Sequence, residues 1–149
     1  DEVVIGALAA VNAWGGVVDP DSGQVLAGPR REAGFVDTTE LLAKGVAIPS
    51  RFAQNTTLGV VATNASLTKE QANKVAQMAQ DGIAMAVRPA HTMYDGDVVF
   101  VLATGEGEAF GDTTAIGSVA ARVLSRAIVR GVTQVRGLGG VPSVSELHK

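Results

Sequence analysis

An α/β fold is predicted by three apolar runs of strand length, residues 3–11, 57–64 and 98–104, interleaved with two stretches of helical periodicity. Composition points the same way. In 149 residues the hydrophobic fraction is 46%, a globular value, and only 4% is aromatic, with 18 Gly. Small side chains in that proportion imply closely packed layers, and the length suffices for one domain with a real core.

The first run, Val3-Val4-Ile5-Gly6-Ala7-Leu8-Ala9-Ala10-Val11, is apolar without alternation and reads as a strand buried on both faces. It follows Asp1-Glu2 with no lead-in, so the expectation is that the chain is the C-terminal part of a longer precursor. Asp19-Pro20-Asp21-Ser22-Gly23 carries turn chemistry and should join residues 15–18 to 24–27 as a hairpin. Residues 28–54 are polar, mixed in charge and poorly periodic, and read as an exposed linker containing a short helix at 38–44. The second strong strand then runs from 57 to 64.

Thr68-Lys69-Glu70-Gln71 has the pattern of a capping box, and Ala72, Val75, Ala76, Ala79, Ile83 and Ala84 follow at helical spacing. Pro89 ends that helix by pushing Arg88 toward extended backbone. After the strand at 98–104, a flexible loop at 105–111 leads to Asp112 or Thr113 as a second cap. Ile116, Val119, Ala120, Val123, Leu124, Ala127 and Ile128 then form one stripe, closed by Gly131. Each helix has one apolar face, so both should lie on a sheet. The tail from 133 to 149 is polar, rich in glycine and loosely held.

The net charge of −3 gives no basic stripe for nucleic acid. No apolar run approaches the ~20 residues that span a bilayer, and no signal-peptide pattern is present. There is no cysteine, hence no disulfide framework or thiolate metal site, which fits a cytoplasmic protein.

Chemistry concentrates at Gln54-Asn55-Thr56-Thr57-Leu58-Gly59, where a hydroxyl residue follows an Asn at the mouth of an apolar strand. Cleavage of the Asn55-Thr56 bond would leave Thr56 with a hydroxyl and a free α-amine. That amine titrates near pH ~7.7–8.0 and can take the hydroxyl's proton without a histidine. The structural alternative is a loop-to-strand junction in which both threonines favour extended backbone. Asn12, before Ala13-Trp14-Gly15-Gly16, is either a turn cap or a neutral amide donor to an oxyanion. Asp95-Gly96-Asp97 is either a tight turn with solvated carboxylates or a pair that orients the Thr56 ammonium or hydroxyl. Two carboxylates without a third ligand make a poor metal cage, so neither metal nor cofactor is expected. His91-Thr92 should fix the loop after Pro89 by hydrogen bonding, rather than His91 acting in catalysis. Trp14 either lines the substrate cleft or packs. Gly105-Glu106-Gly107-Glu108 lacks a phosphate loop's lysine and would repel phosphate.

The ordered motifs Gly6-Ala7-Leu8-Ala9-Ala10-Val11-Asn12, Val17-Val18-Asp19-Pro20, Thr56-Thr57-Leu58-Gly59-Val60-Val61-Ala62-Thr63-Asn64-Ala65, Pro89-Ala90-His91-Thr92 and Asp95-Gly96-Asp97 resemble the L-aminopeptidase/D-esterase family. That family includes β-aminopeptidases and nylon-oligomer hydrolases, and the resemblance covers residues 4 to about 128. It implies an αββα sandwich, also that of ornithine acetyltransferases, with this chain supplying the C-terminal part. It further implies self-cleavage before Thr56, residues 1–55 closing an α-chain segment and 56–149 forming a β-chain segment. Thr56 would be nucleophile and base, Asn12 the oxyanion donor, and Asp95 and Asp97 the orienting acids. Implied substrates are short peptides, β-amino-acid amides or ω-amino-acid oligomers. Implied partners are the upstream segment of the same precursor and further copies in a homo-oligomer. Acyl transfer of the ornithine acetyltransferase kind and an inert C-terminal fragment stay open as alternatives.

Overall fold

A computed structural model describes residues 2–32, 34–46, 55–106 and 112–147. Its centre is a three-stranded sheet in which β6 (Thr56–Thr63) lies between β1 (Ile5–Asn12) and β8 (Val98–Ala103). β1 runs antiparallel to β6, and β8 runs parallel to it. A parallel pair needs a crossover, which α2 (Lys69–Ala86) supplies. α3 (Thr113–Thr133) follows β8 and packs beside α2 on the same face of the sheet. The helices approach closely because a Cβ at Gly82 would run into the Ala121 carbonyl. Val61, Val75, Ala79, Ile83, Ile116, Ala120, Leu124 and Ile128 are buried between the layers.

Both caps are as the sequence indicates. Thr68 accepts from the Gln71 amide while the Gln71 side chain accepts from the Thr68 amide, closing a capping box. Asp112, not Thr113, caps α3, accepting from the amides of Thr114 and Ala115. α3 continues past Gly131 to Thr133, and Val119 of the expected apolar stripe is 42% exposed.

The first strand departs from expectation. Ile5, Ala7, Ala9 and Val11 face the helices, but Leu8 on the other side is 73% exposed. Its uniform apolarity hid a strand whose outer face no second layer covers among the described residues. β8 has the same property, with Phe100 56% and Leu102 58% exposed. Of the expected four-layer sandwich, the described residues therefore supply one helical layer and one principal sheet.

A smaller antiparallel sheet joins β2 (Gly16–Val18) to β3 (Val25–Ala27) and to β7 (Val87–Arg88). The β2–β3 hairpin is the predicted one, its turn held by Asp19, which accepts from the Ser22 amide and hydroxyl. β7 lay hidden in what reads as the end of a helix, because the chain leaves α2 directly into a two-residue pairing with β2. The stretch read as linker is only partly so. α1 (Thr38–Ala43), capped by Asp37, buries Thr38 and Leu41, and β4 (Arg30–Arg31) pairs with β5 (Gly34–Phe35). Residues 47–54 of that stretch lie outside the described residues, as do loop residues 107–111 and His148. The tail holds one short helical turn, α4 (Val144–Leu147), where Glu146 accepts from the amides of Gly137 and Ser143.

Candidate active site

The register between β1 and β6 makes Asn12 and Thr56 the last cross-strand pair. Alternation then sorts the two threonines. Thr57 points into the helical layer and is fully buried, whereas Thr56 points with Asn12 to the open side of the sheet. Of the two hydroxyls, only that of Thr56 lies on the open side of the sheet.

The loop after β7 forms the third side. Asp95 bridges to Asn55 as a continuation of the parallel β6–β8 ladder. This brings the Gly96 amide to the Asn55 carbonyl oxygen, to which it donates at 2.8 Å. The Thr56 hydroxyl lies against the same residue: a Cβ built on Gly96 would stand 3.0 Å from Thr56 Oγ1. The carbonyl of the Asn55-Thr56 bond, the hydroxyl that could attack it and a backbone donor thus meet at one point.

The two carboxylates have different surroundings. Asp95 Oδ2 accepts from the Thr92 amide at 3.0 Å and the Thr92 hydroxyl at 2.7 Å, and its Oδ1 accepts from the Trp14 amide at 3.4 Å. It ties the loop to the chain leaving β1. Asp97 Oδ1 accepts from the Thr57 amide at 2.7 Å, directly behind Thr56. Its side chain is 4% exposed, and Oδ2 lies 3.9 Å from His91 Nδ1. Burial raises the Asp97 pKa above the ordinary carboxylate value; the Thr57 amide opposes this, the Asp95 charge adds to it, and His91 opposes it.

Neither carboxylate has a hydrogen bond to the Thr56 hydroxyl among the described residues, so the expected orienting contact is replaced by a contact one residue on. The turn also sits differently from expectation, over Thr92–Asp95 with the Asp95 amide donating to the Thr92 carbonyl, not at Asp-Gly. Of the His91-Thr92 pair expected to fix the loop, Thr92 carries the hydrogen bonds. His91 holds a left-handed backbone angle, φ 56°, uncommon for a residue with a side chain. The Trp14 ring packs on Tyr94 with centroids 5.1 Å apart and planes 33° apart. Sequence reasoning missed the Gly96 amide and Tyr94. The flanking acids were a pointer to Gly96, but a backbone donor has no side-chain signature.

Among the described residues, no cluster of three His, Cys, Asp or Glu side chains is placed to hold a metal, and no helix is long and apolar enough to cross a membrane.

A half-buried threonine at a strand mouth thus stands beside an amide side chain and a backbone donor. The chain belongs to peptidase family S58, whose model matches residues 1–144, and it is of the L-aminopeptidase/D-esterase type. It is 34% identical over 168 residues to a Mycobacterium tuberculosis protein named as an uncharacterized aminopeptidase, covering 97% of this chain and 48% of that one. It is 29% identical over 113 residues to the 6-aminohexanoate-oligomer endohydrolase of Paenarthrobacter ureafaciens, covering 68% of this chain and 31% of that one. Among solved structures, a Burkholderia sp. beta-aminopeptidase matches with a TM-score of 0.44 and 24% identity, over 87% of this chain and 41% of that one. The chain spans about half the length of the mycobacterial relative.

Proposed function

We propose that this chain is the nucleophile-bearing part of an amide hydrolase that first cuts its own Asn55-Thr56 bond. The observation that carries this reading is the convergence on Asn55 and Thr56 of the Gly96 amide, the Thr56 hydroxyl and Asn12. Thr56 Oγ1 adds to the Asn55 carbonyl, and the Gly96 amide stabilises the oxygen as it becomes negative. Collapse breaks the C–N bond, moving the acyl group to Oγ1 and the proton to the departing nitrogen. Water then hydrolyses this ester, leaving the Asn55 carboxylate and a free Thr56 α-amine.

The same groups then serve an external amide. The freed amine takes the proton from Thr56 Oγ1 as it attacks the substrate carbonyl, and passes it to the leaving amine. The Gly96 amide, released from Asn55, and the Asn12 side chain donate to the oxyanion. Water completes the cycle by hydrolysing the acyl-enzyme. Asp95 and Asp97 act as positioning residues, Asp95 by holding the loop that presents Gly96 and Asp97 by fixing the Thr57 amide behind the nucleophile.

The substrate class we infer is short amine-bearing amides, including ω-amino-acid oligomers such as the one in the Paenarthrobacter relative's name. The partner is the upstream segment of the same precursor, seated on the apolar outer face of the sheet where Leu8, Leu58, Phe100 and Leu102 are exposed. The direct test is release of p-nitroaniline from aminoacyl and 6-aminohexanoyl p-nitroanilides by the protein expressed with its upstream segment. Turnover by wild type and its loss in Thr56→Ala support the reading. Equal turnover in Thr56→Ala contradicts it. A product that forms only when an amine acceptor is added would favour acyl transfer instead.

A further inference from the structure

We propose that Trp14 and Tyr94 form the subsite for the apolar acyl portion of the substrate and set the selectivity of the Thr56 centre, an inference that rests on the hydrolase reading above.

Trp14 lies two residues beyond Asn12, the cross-strand partner of Thr56, and Tyr94 lies next to Asp95, which bridges to Asn55. The aromatic pair therefore has one member on each of the two chain segments that frame the nucleophile. Asp95 couples them, since its carboxylate accepts from the Trp14 amide and from Thr92 at the start of the turn that carries Tyr94. Close backbone approach fixes the pair further, because a Cβ at Gly15 would run into the Pro89 carbonyl of the same loop. The rings are in tilted contact, 5.1 Å between centroids, so each restricts the other.

This platform is open to solvent where a core pair would not be. Tyr94 is 43% exposed and the adjoining Met93 is 97% exposed. Tyr and Trp present a broad apolar surface at low cost in conformational entropy, which suits them to hold a ligand's apolar part. Aromatic faces accept a polymethylene chain or an aromatic side chain, and offer nothing to a glycyl unit. Arg88, the cation nearest in sequence to this loop, sits on the far side of Pro89 and pairs through its backbone with Gly16 of β2. The contact that the aromatic pair itself offers is therefore apolar.

The chain has a single tryptophan, so its part of the emission is read as the difference between wild type and Trp14→Phe. The processed protein, with its upstream segment, is titrated with 6-aminohexanoate, which cannot be hydrolysed further, and with glycine. Saturable change in Trp14 emission with 6-aminohexanoate, absent with glycine and lost in Tyr94→Ala, is the expected result. In turnover, Tyr94→Ala and Trp14→Ala should lower kcat/KM for 6-aminohexanoyl p-nitroanilide by about 10- to 100-fold, the scale set by a few methylenes in an apolar subsite. Glycyl p-nitroanilide should change less than about two-fold by the same reasoning, and Tyr94→Phe should behave as wild type. Equal losses for both substrates would mean that the pair only supports the fold. Trp14 emission unmoved by 6-aminohexanoate would also overturn the proposal. If no amide is hydrolysed by wild type, the hydrolase reading fails, and the titration still decides whether the subsite exists.

Discussion

Asn12 and Thr56 face each other across the end of the β1–β6 ladder, on the side of the sheet away from both helices. Forty-three residues separate them in the chain, and antiparallel pairing alone brings them together. A one-residue slip of β6 would send Thr56 into the helical layer, away from Asn12, and expose Thr57 in its place. Register here is therefore a condition of chemistry, and the buried set Thr57, Val61 and Thr63 enforces it.

Asn12→Ala is expected to lower turnover by roughly 10²–10³-fold, the usual loss for a single oxyanion donor. Asn12 is exposed, so its removal should leave the thermal midpoint nearly unchanged. Paired kinetics and thermal melts check this. A melt displaced by several degrees with turnover intact would make Asn12 a turn residue.

Gly96→Ala tests the closeness of the loop to the nucleophile. The added methyl would stand 3.0 Å from Thr56 Oγ1, so the hydroxyl must rotate away to make room. The fold can absorb that rotation, but attack geometry cannot, and misplacement of this kind costs up to about 10²-fold in rate. Self-cleavage and turnover should both slow, with far-ultraviolet circular dichroism unaltered. Unchanged rates would place the hydroxyl elsewhere during attack.

Asp97 carries a raised pKa caused first by burial. A carboxyl whose folded pKa lies above its unfolded value binds the extra proton in the fold. Its contribution to stability therefore falls as pH rises through the window between the two values. Asp97→Asn keeps an acceptor for the Thr57 amide and removes the buried charge. The variant should melt close to wild type at acid pH, melt higher near pH 7, and process itself more slowly. Asp95→Asn should differ, because the Thr92 amide and hydroxyl both donate to one oxygen of Asp95. Presenting an NH₂ to those donors, or losing the charge, should loosen the loop and lower the melt at all pH values. Melting curves from pH 4 to 8 separate the two residues.

Much of this fold was legible because periodicity and caps report local physics. Thr68 with Gln71, Asp112, and the turn around Asp19 are written in adjacent residues, and each forms. β4, β5 and β7 were not legible, because two-residue strands have no periodicity to read and exist through their partners. The double burial expected of β1 failed for a related reason: an apolar run reports that a face can be covered, not that it is. At the site, Asn12, Thr56, Asp95 and Asp97 were readable as candidates. Their division of labour, with Asp95 on the loop and Asp97 behind Thr56, depends on register that no local pattern encodes.

The uncovered face has a consequence for the chain expressed alone. Phe100 pairs with Val60 and Leu102 with Ala62, so their exposed side chains form a continuous apolar strip with Leu8 and Leu58. Such a surface drives association. Sedimentation velocity should show oligomers or aggregates that dissociate in Phe100→Ser, or when the upstream segment is supplied. A monodisperse wild-type monomer would show that this face needs no cover.

The most direct test of the role given to Thr56 is denaturing mass spectrometry of the protein produced with its upstream segment. Wild type should yield a fragment whose N-terminus begins Thr56-Thr57-Leu58, Thr56→Ala should remain one chain, and Thr56→Ser should still cut because the hydroxyl survives. An uncut wild type, or a Thr56→Ala chain cut at the same bond, would contradict the assignment of Thr56 as the nucleophile.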